Sequence, residues 1–544
     1  MKHHAKLMKT AALGAAAALA LSACATKSDG DGGGSGSEGG ATGENVVIGT
    51  TDKITSLDPA GAYDNGSFAV AVNVYGFLFS APAGGSAMEP DLAESGEFTS
   101  PTEFTVTLKD GLKFANGNDL TASDVKFSFD RMLAIDDPNG PASLLYNLEE
   151  TEAKDDTTVV FHLKEANDQV FKQILSSPAG PILDEETFSA DALTEPQDIV
   201  AGGGFAGQYE IEKFDLNNLV QYKPNENYAG SHGEVANGGV NVKYYADSSN
   251  LKLDIQQGNI DVAYRSLSAT DIEDLSGNDA VEVVKGPGGE IRYIVFNFNT
   301  QPFGAAQGDA DPEKARAVRQ AMADLLDREA LSEQVYKGTY TPLYSYVPAG
   351  LEASIEPLKE MYGDGNGGPD AESAKQRLAD AGIDTPVELK LQYSPDHYGP
   401  SSGDEYTMIK SQLEADGLFS VDLQSTEWVQ YAKDRSADVY PVYQLGWFPD
   451  YSDADNYLTP FFIDDNFLVN HYQDDEVNDM ILASAVEGDD GKRTELLKDI
   501  QRAVAEDLST LPYLQGTQLA VVKQGVDGVN LDASFKFYYA PLTK

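Results

Sequence analysis

A chain of 544 residues whose single cysteine is Cys24 cannot cross-link itself with a disulfide. It also lacks the several thiolates that a cysteine-based zinc site needs. The folded part must therefore be stabilised by buried apolar side chains alone. Hydrophobic residues make up 41% of the chain, which is ordinary for a globular protein, and the length favours three or four domain-sized units.

The first 23 residues have the pattern of a secretory signal, in which positive charge precedes a short apolar stretch and small residues. The lysines and the apolar run are Lys2, Lys6, Lys9 and Ala11–Leu21. The run is too short to span a bilayer. We therefore predict that residues 1–23 are a signal peptide that is removed on export.

The signal ends at Leu21-Ser22-Ala23-Cys24, which resembles the lipobox of bacterial lipoproteins. In such proteins the cysteine receives a diacylglycerol carrying acyl chains such as palmitate, and it becomes the mature N-terminus. Two acyl chains meet the requirement for stable anchoring. Because the chain's only cysteine stands at this place, lipid attachment at Cys24 is favoured over an incidental cysteine in a plain cleaved signal.

Residues 24–45 are rich in Gly, Ser, Asp and Glu and hold too little apolar surface to fold. A random coil of this length reaches on the order of 25 Å. We predict a flexible tether that holds a globular part away from the membrane.

The charge of the chain excludes one class of partner. With 88 acidic and 38 basic residues the formal net charge is −50, which repels phosphate backbones and anionic lipid head groups. The sequence therefore predicts no nucleic-acid binding and no membrane affinity beyond the lipid.

Motifs of catalysis and of metal binding are largely missing. Two G-x-G-x-x-G matches occur, but Gly34–Gly39 lies in the tether and Gly202–Gly207 leads into a strand-like segment instead of a helix. Asp450, Asp453 and Asp455 resemble part of a calcium loop but lack the glycine that turns an EF-hand. There is no G-x-S-x-G or H-E-x-x-H. We predict a protein that is not an enzyme and has neither cofactor nor metal, with a surface hydrolase as the alternative.

Strand-like and helical periodicities mix in the chain after the tether. The strand-like segments include Val46–Thr50 and Phe104–Leu108. Thr121 with Asp124 forms a capping box for a helix that continues through Leu133. A second helix is predicted over Pro312–Leu326.

Several segments, in order along the chain, resemble the family of extracellular solute-binding proteins that serve peptide and nickel ATP-binding-cassette importers. They are Ser56–Pro59, Glu89–Leu133, Tyr209–Gly230, Ile291–Phe303, Val318–Leu331 and Leu445–Phe462. The ordered set covers nearly the whole mature chain.

The resemblance implies an α/β fold of the type II periplasmic-binding-protein kind, in which two lobes close on a ligand cleft and an additional domain is inserted. The first lobe would combine residues 46–84, 202–285 and 511–544. The inserted domain would occupy 85–201, and the second lobe 286–510. The crossings between the lobes would form a hinge for rigid-body closure.

In peptide-binding members an extended peptide adds as a strand, and its ammonium pairs with an Asp in a G-W-x-x-D motif. That motif reads Gly446-Trp447-Phe448-Pro449-Asp450 here. The resemblance implies that Asp450 binds the amine and that Gly446 and Phe448 pair with the peptide backbone. The other implied contacts are the cleft aromatics Trp447, Trp428 and Tyr293, the opposite wall of Tyr63 and Asn65, and the carboxylate partners Arg435 and His397.

For each of these residues a purely structural role stays open, with Asp450 a surface acid, Trp428 a core residue and Arg435 solvated. Relatives with a disulfide near the cleft have their cysteines where Glu290 and Phe448 stand here. The pocket of this chain therefore differs in shape from theirs.

The sequence thus predicts a monomeric lipoprotein on the outer face of the cell membrane, at the surface of a Gram-positive cell. It would capture short peptides and deliver them to the permease of an importer driven by cytoplasmic ATPases. The alternative is a receptor of the same fold for cello-oligosaccharides or metal chelates, since aromatic platforms serve sugars equally well.

Replacing Cys24 with Ala should release the protein from cells in soluble form, because neither tether nor acidic domain has other membrane affinity. Cell fractionation with immunoblotting measures the released share. Ser22→Ala, which keeps the thiol, should stay with the membrane. Retention of the Cys24→Ala protein after a high-salt wash would contradict lipid anchoring.

Overall fold

The computed structural model describes residues 43–81, 88–265, 267–395, 397–399, 401–534 and 536–544. The predicted signal peptide, Cys24 and the predicted tether as far as residue 42 lie outside the described residues. Within the described ranges, no helix is both long enough and apolar enough to cross a bilayer.

The strands of the described residues are β1 Val46–Thr50, β2 Phe79–Ser80, β3 Glu89–Pro90, β4 Ala93–Ser100, β5 Glu103–Leu108, β6 Leu148–Ala153, β7 Thr158–Leu163, β8 Tyr209–Asp215, β9 Leu219–Pro224, β10 Val240–Tyr244, β11 Val262–Tyr264, β12 Val281–Phe296, β13 Tyr340–Pro342, β14 Val387–Tyr393, β15 Phe419–Ser425, β16 Val442–Trp447 and β17 Thr510–Lys523.

The α-helices of the same residues are α1 Asn65–Val74, α2 Ala122–Ile135, α3 Phe171–Ile174, α4 Pro196–Gly202, α5 Ser248–Gln257, α6 Ala269–Ser276, α7 Pro312–Leu325, α8 Arg328–Ala330, α9 Pro357–Met361, α10 Ala371–Asp380, α11 Ser402–Glu414, α12 Trp428–Arg435, α13 Thr459–Phe462, α14 Asp475–Val486 and α15 Asp490–Asp507.

One large mixed sheet has the strand order β15-β14-β16-β12-β17-β11-β1-β10-β9-β8, with β13 paired to β17. It contains two groups of parallel strands. Strands β10, β1 and β11 form one group, and β15, β14 and β16 form the other. The α/β class predicted from the sequence is confirmed.

The long strands β12 and β17 connect the two parallel groups. They pair with each other antiparallel, while β17 also pairs with β11 and β12 with β16. Every residue of β12 from Gly288 to Phe296 is buried, as expected for a strand covered on both faces. Their ladder shifts register between Pro287 and Ile291 and again between Arg292 and Tyr293. The two parallel groups are thus linked by continuous strands whose pairing is irregular at two places.

A second sheet, ordered β4-β5-β7-β6, packs with α2 around a core that residues between 92 and 182 supply for the most part, joined by Ala60, Leu78, Phe79 and Ala206. Aromatic rings pack edge-to-face in that core. The ring centroids of Phe129 and Phe161 are 5.0 Å apart, and those of Phe161 and Phe171 are 5.3 Å apart. Such edge-to-face pairs add to the free energy of apolar burial. The boundaries of the two lobes and the inserted domain stay a prediction.

The local elements predicted from the sequence are confirmed. Strand β1 spans Val46–Thr50, and the alternating segment Phe104–Leu108 lies within β5. Thr121 caps α2, and both hydrogen bonds of its capping box with Asp124 are present. Helix α7 begins at Pro312 and ends at Leu325.

A buried ion pair joins the segment after β1 to α2. Arg131 Nη1 and Nη2 donate to Asp58 Oδ1 and Oδ2 at 2.8 and 2.6 Å, and both side chains are almost fully buried. Asp58 also accepts from the main-chain N–H groups of Ala60 and Thr194 at 3.0 and 2.7 Å. The carboxylate is therefore fully engaged by partners far apart in sequence.

Asp58→Ala should lower the free energy of unfolding by about 3–5 kcal/mol, because it leaves the Arg131 guanidinium buried and unpaired. Equilibrium urea denaturation measures this. The control is Asp119→Ala, which breaks the exposed pair between Lys113 and Asp119 and should cost less than about 1 kcal/mol. Equal losses in both variants would contradict a structural role for the buried pair.

Candidate functional site

Three loops meet at the carboxyl ends of the parallel strands β14, β15 and β16. His397 follows β14, Trp428 follows β15, and Trp447 ends β16 just before Asp450. In open α/β sheets, ligands bind outside the carboxyl ends of parallel strands. The fold therefore brings residues separated by up to 53 positions in sequence to one edge of the sheet.

Strand β16 has a partly uncovered edge. On one side it pairs with β12 along its whole length, Val442–Trp447. On the other side its ladder with β14 covers Val442 and Tyr443 only. Among the described residues, the pairing of β14 with β16 does not continue beyond Tyr443. An extended peptide can add to such an edge through main-chain hydrogen bonds.

Asp450 lies at the end of this edge in a partly desolvated setting. Its main-chain N–H donates to Asn456 Oδ1 at 2.9 Å, and Asn456 Nδ2 donates to Asp450 Oδ2 at 3.3 Å. Burial raises the pKa of Asp450, while hydrogen bonds from Tyr63 and Asn456 oppose that rise. A carboxylate held this way favours a cationic partner.

Tyr63 reaches Asp450 from the opposite side of the site. Its hydroxyl donates to Asp450 Oδ1, and its side chain is 42% exposed. Tyr63 precedes Asp64, which caps α1, and Asn65 is the first residue of that helix and is exposed. The structure thus places the two predicted wall residues side by side and brings one of them to Asp450.

Trp447 and Phe448 take different environments. The Trp447 ring packs against Phe461 and Phe467 at 5.1 and 5.6 Å between centroids, and its Nε1 donates to Asn456 Oδ1 at 3.0 Å. Phe448 is 37% exposed. Trp447 therefore stabilises the loop, and Phe448 is the more exposed of the two residues.

An aromatic group flanks the other end of the uncovered edge. The His397 ring stacks on Trp428 with centroids 3.6 Å apart and planes 4° apart. Tyr398 meets Trp428 edge-on at 5.7 Å, and Tyr431 lies 5.8 Å from the same ring. Trp428 and His397 are thus in direct contact, and their place in a ligand cleft stays a prediction.

Two tyrosines lie against Gly446. A Cβ atom added to this glycine would be 2.9 Å from Tyr398 Cε1, and the Gly446 carbonyl accepts from the Tyr293 hydroxyl at 3.4 Å. The pairing of Gly446 with a ligand's backbone stays a prediction. Tyr293 itself is 1% exposed and supports the strand from within the core.

Arg435 is a buried cation. It is 8% exposed, lies over the Phe467 ring at 4.8 Å and donates from Nη1 to Leu468 O at 3.5 Å. None of the described carboxylates lies within ion-pair distance of it, and its Nε has no hydrogen-bond partner among the described atoms. A solvated arginine is therefore not what the structure shows, and a buried guanidinium of this kind favours an anionic partner.

The acids after Asp450 are engaged within the protein. Asp453 accepts two hydrogen bonds from Arg493, at 2.8 and 2.9 Å. Asp455 accepts from the Tyr451 hydroxyl at 3.0 Å and from the Thr459 hydroxyl. Within the described part of the chain, no group of three or more His, Cys, Asp or Glu is placed to hold a metal ion.

Sequence reasoning missed two contributors. Asn456 organises the loop through Trp447 and Asp450, and nothing in its local sequence signals that. Arg265 follows β11 at the carboxyl edge of the other parallel group, with a φ of 58° and with Nε 3.8 Å from Asp52 Oδ2. Its position in the sequence, as a polar residue directly after a buried parallel strand, was a signal from which Arg265 could have been predicted.

Residues 87–468 match the family model described as bacterial extracellular solute-binding proteins, family 5 Middle. The chain is similar to the di/tripeptide-binding protein 1 of Pseudomonas aeruginosa strain UCBPP-PA14, at 24% identity over 88% of this chain and 90% of that protein. It is also similar to the glutathione-binding protein GsiB of Escherichia coli strain K12, at 25% identity over 92% and 94%.

Among solved structures, HbpA2 from Haemophilus parasuis superposes with a TM-score of 0.78 at 20% identity, covering 92% of this chain and 99% of that one. This likeness shows the fold. It confirms the α/β architecture of the periplasmic-binding-protein type that the sequence predicts.

The free energy of unfolding should depend on the charge of Asp455. Burial, reinforced by the charge of Asp453, raises the pKa of Asp455 from 3.8 to about 6. Its contribution to stability is therefore complete below pH 3.8 and is lost as the pH rises through about 6. A difference of about two units between the pKa values of the folded and unfolded states corresponds to about 3 kcal/mol in the free energy of unfolding.

Asp455→Asn should remove that contribution, so that the free energy of unfolding falls less between acid and neutral pH than in the wild type. Urea denaturation at a series of pH values measures the difference. Asp464→Asn, a change at an exposed acid nearby, is the control. A variant whose pH profile runs parallel to the wild type would show that Asp455 does not titrate differently on folding.

Proposed function

This chain belongs to the bacterial extracellular solute-binding proteins of family 5, and from that premise we propose that it captures short peptides outside the cell and delivers them to the permease of an ATP-binding-cassette importer. The observation that carries the proposal is Asp450. A desolvated carboxylate at the end of an uncovered strand edge suits the α-ammonium of an extended peptide.

In this proposal Asp450 pairs with the ammonium, and the main chain at Phe448 pairs with the backbone of the first residues. Main-chain pairing accepts any side chain, so it recognises peptides as a class. Arg435, buried without an acidic partner among the described residues, is the proposed partner of the C-terminal carboxylate. The names of the relatives, which specify di- and tripeptides or glutathione, support the choice of ligand.

A receptor for oligosaccharides is less well supported, because sugar sites use open aromatic faces. His397 already stacks on Trp428 at 3.6 Å, and Trp447 is packed between Phe461 and Phe467. Native mass spectrometry of freshly purified protein would distinguish peptide, sugar and chelate by the mass of any retained cargo.

The proposal also includes rigid-body closure of two lobes. The first lobe combines residues 46–84, 202–285 and 511–544, and the second spans 286–510. Residues 85–201 form the inserted domain. The irregular stretch of β12 between Pro287 and Ile291 falls at the proposed boundary and would serve as the hinge. We further propose that the protein acts as a lipid-anchored monomer without catalytic activity, held at the surface of a Gram-positive cell through Cys24.

Asp450→Asn should weaken the binding of a free peptide by about 30-fold to several thousand-fold, because it leaves the ammonium buried and underpaired at a cost of about 2–5 kcal/mol. N-terminal acetylation of the peptide should weaken binding to the wild type comparably. The two losses should not add, since both remove one interaction. Isothermal titration calorimetry on the four combinations measures this.

The matched control is Asp475→Asn, which makes the same change in net charge at an exposed position of α14. It should bind as the wild type does. Fully additive losses, or wild-type affinity of the Asp450→Asn protein, would show that Asp450 is not the amine partner.

A further inference from the structure

Tyr398 lies directly against Gly446 on the uncovered edge of β16. A Cβ atom added to Gly446 would be 2.9 Å from Tyr398 Cε1. Burial raises the pKa of the Tyr398 hydroxyl, while its hydrogen bond with the Gly446 N–H and the cations Arg292 and Arg435 oppose that rise. The Tyr398 ring thus covers the glycine.

Tyr398 is held in place by its surroundings. Arg292 Nη2 donates to Tyr398 O at 2.6 Å. That arginine is buried and paired with Glu405 at 3.2 Å and with Glu290 at 3.4 Å. On the outer side, Trp428 meets the tyrosine ring edge-on at 5.7 Å. Because displacing Tyr398 would disturb a buried ion-pair network, the ring acts as a fixed wall.

The spacing along the edge relates this wall to ligand length. Main-chain groups of a strand point to alternate sides, so Gly446 and Phe448 face the same edge. When the ammonium of a peptide is at Asp450, the first two residues of that peptide lie beside Phe448. Advancing about 3.3 Å per residue, it reaches Gly446 with its third or fourth residue. There it meets Tyr398.

We propose that Tyr398 is an end stop that limits the ligand to peptides of two or three residues. The inference rests on the proposed function, because it requires a peptide amine at Asp450.

The test uses alanine peptides of two to five residues and the exported protein from residue 25 onward, with calorimetry as the readout. The wild type should bind dialanine or trialanine at least about tenfold more tightly than tetra- and pentaalanine. Affinities for two and five residues that agree within about threefold would overturn the end stop and leave the proposed function intact.

Three variants distinguish the effect of the Tyr398 ring on ligand length from a general loss of stability. Tyr398→Ala should bring tetraalanine to within about threefold of trialanine, and Tyr398→Phe, which keeps the ring, should keep the wild-type preference. Tyr440→Ala removes a buried ring of the same aromatic cluster, before β16 begins, and should also keep it. A Tyr398→Ala protein that still rejects tetraalanine would overturn the role of Tyr398.

The wild-type length series needs no variant, so a Tyr398→Ala protein that fails to fold leaves the proposal testable. If the wild type binds none of the four peptides, whereas another class of solute raises its melting temperature, the proposed function itself fails. That outcome differs from binding without length preference, which contradicts the end stop alone.

Discussion

The structure depends on the antiparallel ladder between β12 and β17, whose main-chain hydrogen bonds connect the two groups of parallel strands in one sheet. A chain with a single cysteine has no disulfide with which to make that connection. Buried N–H and C=O groups must be paired, and two long strands satisfy them without a break in the backbone. The parallel strands keep their carboxyl ends in place on either side of this ladder. Every residue of the candidate site is positioned relative to it, and its register shifts between Pro287 and Ile291 and between Arg292 and Tyr293.

Local signals in the sequence predicted local structure well. The capping box of Thr121 and Asp124, the alternation in Phe104–Leu108 and the periodicity after Pro312 each depend on residues a few positions apart, and all three were confirmed. The family resemblance carried the prediction further, to the ordered motifs and to the stretch Gly446–Asp450. That stretch does lie at the carboxyl end of a strand in the sheet, where open α/β folds bind ligands.

Contacts between distant residues were beyond the sequence. Whether Arg435 is solvated or buried depends on Phe467 and Leu468, which lie 32 and 33 positions away. The environment of Gly446 depends on Tyr398 and Tyr293, each from a different strand or loop. Packing decides such cases, and one sequence does not record which side chains meet. The same limit explains why Asn456, which holds Trp447 and Asp450 together, gave no local signal.

The hydrogen bond from Tyr63 to Asp450 has a consequence for affinity as a whole. The tyrosine hydroxyl occupies one acceptor position of Asp450 Oδ1, and an amine that takes this position displaces it. Competition of this kind divides the intrinsic dissociation constant by the fraction of protein in which that position is accessible, and the fraction does not depend on which amine arrives. It therefore weakens binding of every peptide by the same factor. Different residues then set two properties of the protein: the range of peptide concentration over which it responds, and its choice among peptides. Either property could change in evolution while the other is kept.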